Sequence, residues 1–344
     1  MDVIEGFWAG AQDHGGTMDW VKLEQLVGGR AAVARAGRAE LVAAGADPDR
    51  VLAWLRTPPR LTMGQALVWT DSRYPEALRR TLQPPPVLLV DGAVEALGPP
   101  GVAVVGTRAC TAYGRVVARR LGAELARSGK VVVSGLARGI DGEAHLGAIS
   151  AGRTVAVLGH GLAHTAPSSH RRLRQRIVEA GGAMVSVWPD ELAPREWTFP
   201  KRNAWIAGLA DAVVVVEAGS RSGALITAKC ALAIGRDVFA VPGPVDSPAS
   251  AGCLALLDDG AAIVTRVEDA VARLTGRTVA GTGSWLDLLG EGCTVDDLSR
   301  RTGRPVTAIV RELAQLEVEG RVARVSGQRF ILLPLPEDAQ LRLV

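Results

Sequence analysis

The chain has 344 residues, 48% hydrophobic and 22% charged, with a formal net charge of +3. That length suits two or three domains of roughly 100–200 residues, and the composition excludes a disordered or low-complexity chain. The small positive balance favours an anionic partner only weakly. No uncharged apolar run reaches the length of a membrane span, and the N-terminus lacks the order of a signal peptide.

Residues 1–58 read as a small helical module. Apolar residues recur at helical spacing around Trp20, Leu23, Leu26 and Val27, and again at Leu41, Val51, Leu52 and Leu55. Pro58-Pro59 closes it. Residues 59–101 read as a connector with one or two strands. One strand is Val87–Val90, between Pro84-Pro85-Pro86 and a turn at Asp91-Gly92.

From Val102 onward, short apolar runs alternate with helix-length amphipathic stretches. The runs are Val102–Val105, Val131–Val133, Thr154–Leu158, Ala183–Val187, Ala212–Val216, Val238–Val241 and Ala262–Val264. The helical stretches are Arg115–Ser128, Gly142–Ala151, Ser169–Ala180, Asn203–Leu209, Leu225–Ile234 and Val267–Leu274. Apolar strands alternating with helices predict an α/β domain over 59–275, with a doubly wound, mostly parallel sheet. Gly276–Gly283 reads as a linker. In 284–344, helices starting at Trp285, at Thr294 and at Pro305 precede a hairpin over Arg321–Leu332, which is the winged-helix order.

Such sheets bind ligands at the carboxyl ends of their strands. Three of those ends carry small, glycine-rich loops: Gly106-Thr107-Arg108, the segment from Ser134 and Gly135 through Arg138 and Gly139 to Asp141, and the segment from Glu217 through Ser222 and Gly223 to Thr227. Strand-to-helix junctions of this kind aim backbone N–H groups at one spot, an arrangement suited to phosphate. A fourth element, Phe199-Pro200-Lys201-Arg202-Asn203, is expected as a loop before a helix. Its aromatic offers a stacking face, its cations suit phosphate and its amide suits a base edge. Lysine occurs only at 22, 130, 201 and 229, so Lys201 and Lys229 stand out beside these motifs. Arg171, Arg172, Arg174 and Arg176 either form a solvated helix face or widen phosphate contact.

Several chemistries lack their residues. The chain has no G-x-x-x-x-G-K-[ST] and no G-x-G-x-x-G. Cys110, Cys230, Cys253 and Cys293 form neither a C-x-x-C pair nor a zinc-spaced cluster, so reduced thiols and no metal or cofactor are expected. His145 is expected to be a structural helix residue. Asp141 and Glu217 are expected to hold loops rather than to form a catalytic pair.

Together these residues resemble the DprA/Smf family (DNA-processing protein A). The resemblance rests on VAVVGTR (102–108), VVVSGLARGIDGEAH (131–145), GRTVAVLGHGL (152–162), FPKRNAWIAGLADAVVVVEAGSRSGALITAKCAL (199–232) and GRDVFAVPG (235–243). It implies an extended Rossmann fold with a SAM-like helical front module and a winged-helix tail. It implies a cytoplasmic, non-catalytic homodimer that binds single-stranded DNA and loads a RecA-type recombinase during natural transformation. Carried over by position, the DNA pocket uses Arg108, Ser134, Gly135, Gly139, Lys201, Arg202, Asn203, Ser222, Gly223 and Lys229. The chain departs from the family pattern at Ala166, Val187, Ala204 and Leu254. The competing readings are a nucleotide phosphoribohydrolase and a small-nucleotide sensor. The former carries a Pro-Gly-Gly-x-Gly-Thr loop where this chain has Glu217–Thr227.

Overall fold

The computed structural model describes residues 37–43, 64–68, 71–81, 84–85, 87–99, 101–276, 288–289, 292–302, 305–318, 320–325 and 327–333. It divides the chain into two compact units, Met1–Thr275 and Gly276–Val344. The predicted N-terminal helical module lies outside the described residues, apart from α1 (Arg38–Ala43).

The first unit is built on a sheet whose strands, in chain order, are β1 (Gln65–Val68), β2 (Val87–Gly92), β3 (Gly101–Val105), β4 (Val131–Ser134), β5 (Thr154–Val157), β6 (Ala183–Ser186), β7 (Ala212–Val215), β8 (Asp237–Ala240) and β9 (Ala262–Ile263). Across the sheet the order is β1-β2-β6-β5-β4-β3-β7-β8-β9. Strands β6 through β9 in that order are mutually parallel. The connector supplies two strands: β2 joins β6 antiparallel, and β1 joins β2 antiparallel. Asp91-Gly92, expected as a turn, still pairs with Met184 and Ala183, because the register with β6 carries the strand two residues further.

Apolar residues cover both faces, as the unbroken runs predict. Val102 and Val104 of β3 pack on one side, against Leu121 of α3 (Ala112–Arg127), Ala144 of α4 (Ile140–Ala148) and Val271 of α9 (Val267–Thr275). Ala103 and Val105 pack on the other side. That core includes Ile177 of α5 (Arg171–Glu179), Ile206 of α6 (Thr198–Gly208), Ala228 of α7 (Gly223–Ala233) and Leu256 of α8 (Ala251–Asp258). The short helix α2 (Glu76–Arg79) adds Leu78. Helices α3 and α4 meet backbone to backbone. A Cβ on Gly122 would lie 2.2 Å from the Ala144 carbonyl oxygen, and one on Gly147 would lie 2.0 Å from that of Arg119.

His145 is a fully buried residue of α4. Its Nδ1 lies 2.7 Å from Thr154 Oγ1, whose own hydroxyl donates to the Val132 carbonyl at 2.6 Å. Nδ1 therefore carries the hydrogen, and Nε2 has no partner. Burial first, then the positive fields of His170 and Arg202, push its pKa down from 6.5 to about 3. Below pH 6.5 the unfolded chain takes a proton that the folded chain refuses. The stabilisation is therefore complete above 6.5 and erodes as pH falls from there toward 3, by about 1.4 kcal/mol per unit. Burial raises the Asp141 carboxyl, which gives the opposite sign just above its ordinary range of 3.8. Urea unfolding is expected to show a loss of about 2 kcal/mol between pH 7 and pH 5. His145→Leu should reduce that slope to the part left by His160, whose pKa burial also lowers, and an unchanged slope would exclude His145 as a source.

The second unit contains α10 (Val295–Thr302), α11 (Val306–Val318) and a hairpin of β10 (Val322–Val325) with β11 (Arg329–Leu332). Leu289, Cys293, Leu298, Ile309, Leu313, Val322 and Phe330 form its core. The helix predicted from Trp285 lies mostly outside the described residues. The outward face of α11 exposes Val306, Val310 and Val318, not a run of bases.

Candidate nucleic-acid interface

Strand order reverses between β3 and β7, and an open α/β sheet leaves a crevice at the carboxyl ends beside such a reversal. A cleft of about 700 Å³ lies there. It is walled by the loop after β3, the loop after β7 and the first turns of α6.

The loops around it are tied together by their backbones. Thr107 N donates to the Glu217 carbonyl at 2.7 Å, and Ile140 N donates to the Thr107 carbonyl at 3.2 Å. The Glu217 carboxylate accepts from Thr111 N and Thr111 Oγ1, each at 2.8 Å, at the point where Thr111 caps α3. Asp141 accepts from Gly135 N at 3.1 Å and Ala137 N at 3.4 Å. Both acids thus hold loops, as expected. Leu136, at φ 57°, and Gly139, at φ 75°, turn the loop after β4 through the left-handed region. A Cβ on Gly139 would sit 2.3 Å from the Thr107 carbonyl oxygen, so this turn is open only to glycine.

Arg108 is exposed at the cleft mouth, its guanidinium carbon 5.3 Å from the Phe199 ring centroid. Phe199 also lines a smaller cavity of about 150 Å³, shared with Arg108, Gly135, Arg138, Arg202 and the Ala166-Pro167 pair. Between them, the two cavities bring together Gly106, Thr107, Arg108, Gly135, Arg138, Phe199, Arg202, Asn203, Ser222 and Gly223.

Four expected site residues sit elsewhere. Ser134 is buried and donates to the Val104 carbonyl at 2.6 Å. Gly139 shapes the turn, and neither it nor Lys229, which is exposed on α7, lines either cavity. Lys201 is also outside both linings, its ammonium 5.0 Å from the Trp197 ring centroid.

Two local expectations need correcting. Phe199–Asn203 is not a loop but the first two turns of α6. Pro200 is compatible with this because first-turn N–H groups have no intrahelical acceptor to lose. Arg202 and Asn203 consequently turn inward. Arg202 is 4% exposed and donates to the Val157 carbonyl at 2.6 Å. Burial pushes its pKa down to about 10, against the opposing pull of Asp141, so it remains a cation at neutral pH. A Cβ on Gly135 would lie 1.9 Å from Arg202 Nη1, which accounts for glycine there. Asn203 Nδ2 donates to the Gly223 carbonyl at 3.1 Å, where Ser222 caps α7. On α5, Arg174 is likewise internal, paired with Asp91 at 2.8 Å, while Arg171, Arg172 and Arg176 are exposed.

Glu196 and Pro248 also line the cleft and carried no motif that could have announced them, while Ile206 and Ile226 line it from within the 199–232 segment without having been singled out. Trp197 had a signal, since it is a large aromatic two residues before Phe199.

Known proteins resemble this chain in sequence and fold. A family model for DNA recombination-mediator protein A matches residues 65–275, and one for the DprA winged helix domain matches residues 285–328. Protein Smf of Escherichia coli is 39% identical over 303 residues, covering 80% of this chain and 78% of that protein. The structure of DNA processing protein A from Streptococcus pneumoniae superposes with a TM-score of 0.70 at 30% identity, covering 80% of this chain and 98% of that one. DNA processing protein A from Helicobacter pylori, solved to explain its single-stranded DNA binding mode, gives a TM-score of 0.57 at 27% identity, over 62% of this chain and 97% of that one. A parallel sheet with its cleft at the strand reversal, a winged-helix unit and these matches lead to one assignment: the chain belongs to the DNA recombination-mediator protein A family.

Proposed function

We propose that this protein binds single-stranded DNA in the cleft between the β3 and β7 loops and does so without catalysing a reaction. In this reading it works in the cytoplasm as a homodimer through the Rossmann-like domain. It hands the strand to a RecA-type recombinase in natural transformation and homologous recombination. The observation that carries the reading is Arg108 held over Phe199 at the cleft mouth. A cation for a phosphate then stands beside an aromatic face for a base, the combination used for unpaired strands. Gly106, Thr107, Ser222 and Gly223 bring backbone close to the same space. The non-catalytic reading is supported by Asp141 and Glu217, whose carboxylates are both occupied by loop donors.

The test is fluorescence anisotropy of labelled oligo-dT against matched duplex at two salt concentrations. The expected result is preference for the single strand, with log affinity falling by roughly 0.7 per decade of salt for each phosphate neutralised. Equal affinity for duplex, or none for oligo-dT, would overturn the proposal. Stoichiometric mononucleotide binding without DNA affinity would make the cleft a small-nucleotide site.

A further inference from the structure

Just outside the cleft lining stands an aromatic side chain only half used by the fold. Trp197, at the N-terminal end of α6, is 50% exposed. Its buried edge meets Trp188, with ring centroids 5.2 Å apart at 90°, and Trp188 in turn meets Trp205 at 5.4 Å and 65°. Trp188 is buried, so the three rings brace Trp197 in a fixed orientation with half its surface in water. One helical turn on, the Lys201 ammonium lies 5.0 Å from the Trp197 centroid.

The lining of the cleft stops short of this pair and ends at its sequence neighbours. Glu196, Phe199 and Pro200 all line it. At roughly 100° per residue, Pro200 lies on α6 between Phe199 and the face that bears Trp197 and Lys201. Glu196 puts a carboxylate on the rim, which repels a phosphate, while Lys201 puts a cation over the Trp197 ring. A strand leaving the cleft therefore meets its next favourable phosphate position at Lys201, with the attached base over the indole.

We propose that Trp197 and Lys201 form a second nucleotide subsite, stacking the base next to the one held at Phe199 and neutralising its phosphate. This rests on the single-strand reading above. The base takes the indole face that the ammonium now covers, and Lys201 moves to the phosphate.

The test uses the full chain and two labelled twenty-nucleotide strands. One is all thymidine. In the other, thymidines alternate with abasic positions, so that a base can occupy the cleft but its neighbour has none. Trp197→Ala is expected to weaken the all-thymidine strand by about 5- to 150-fold. It should leave the alternating strand unchanged, and Trp197→Phe should keep most of the affinity. If Trp197→Ala fails to fold, wild type must still prefer the all-thymidine strand by a similar factor, and Trp197→Phe must preserve that preference. Equal weakening on both strands, or no weakening while Arg108→Ala still loses affinity, overturns the subsite and leaves the cleft reading intact. Absence of wild-type binding to either strand overturns both.

Discussion

Arg108→Ala is expected to lower affinity for oligo-dT by about 10- to 150-fold, the loss of one charge-assisted bond worth about 1.5–3 kcal/mol. The side chain is exposed and touches the fold mainly through the face of Phe199. An exposed cation–π contact contributes only about 0.5–1 kcal/mol. Thermal unfolding should therefore barely move while binding collapses. Arg108→Lys should recover part of the affinity, because it keeps the charge and loses the planar fork. Anisotropy titrations paired with melting curves separate the cases, and unchanged affinity in a folded Arg108→Ala protein would rule the cleft out.

Arg202→Ala should behave in the opposite way, failing first in stability. Its guanidinium is enclosed, donates to the Val157 carbonyl and lies in the field of buried Asp141. Truncation leaves that carbonyl without a donor and Asp141 without its counter-charge. Stranding a buried carboxylate and a buried carbonyl together costs about 3–5 kcal/mol. In a domain of this size each kcal/mol lowers the melting point by roughly 2–4 °C, so a fall of about 6–20 °C is expected. Adding Asp141→Asn to Arg202→Ala should restore part of the loss, since the stranded charge is then gone. Strictly additive losses in the double variant would show that Asp141 and Arg202 are not coupled. A joint alanine change at Lys201 and Arg202 would mix a surface effect with a core one.

The fold was legible because its signals are long and repeated. Seven apolar runs separated by amphipathic stretches leave little room for another topology, and every one of them is a strand of the sheet. The edges were harder to read. Helix α8 begins Ala251-Gly252-Cys253, a stretch without helical periodicity that packs through Cys253 and Leu256. Proline at 200 hid the start of α6, because residue preference cannot tell a first-turn proline from a helix breaker. At the site, the motifs located the loops correctly but not the directions of their side chains. Ser134 and Arg202 read as ligand contacts by residue type, and Arg174 as part of a solvated or phosphate-facing helix face, yet all three satisfy carbonyls or a carboxylate inside the protein. Which way a polar residue faces depends on neighbours more than twenty positions away, such as Val104, Val157 and Asp91. Only the tertiary structure supplies those.

The glycine contact between α3 and α4 has a consequence for the proposed binding of a strand. Helix α3 begins just after the Arg108 loop, and α4 begins just after the loop that carries Arg138. With no side chain between Gly122 and Ala144 or between Gly147 and Arg119, the helices have nothing compressible separating them. The two loops are thus held in register before any ligand arrives, and little ordering entropy remains to be lost on association. A grip preorganised in this way keeps a larger share of each contact's gross energy. It can therefore tolerate the weak, sequence-blind contacts by which a protein accepts any strand it meets.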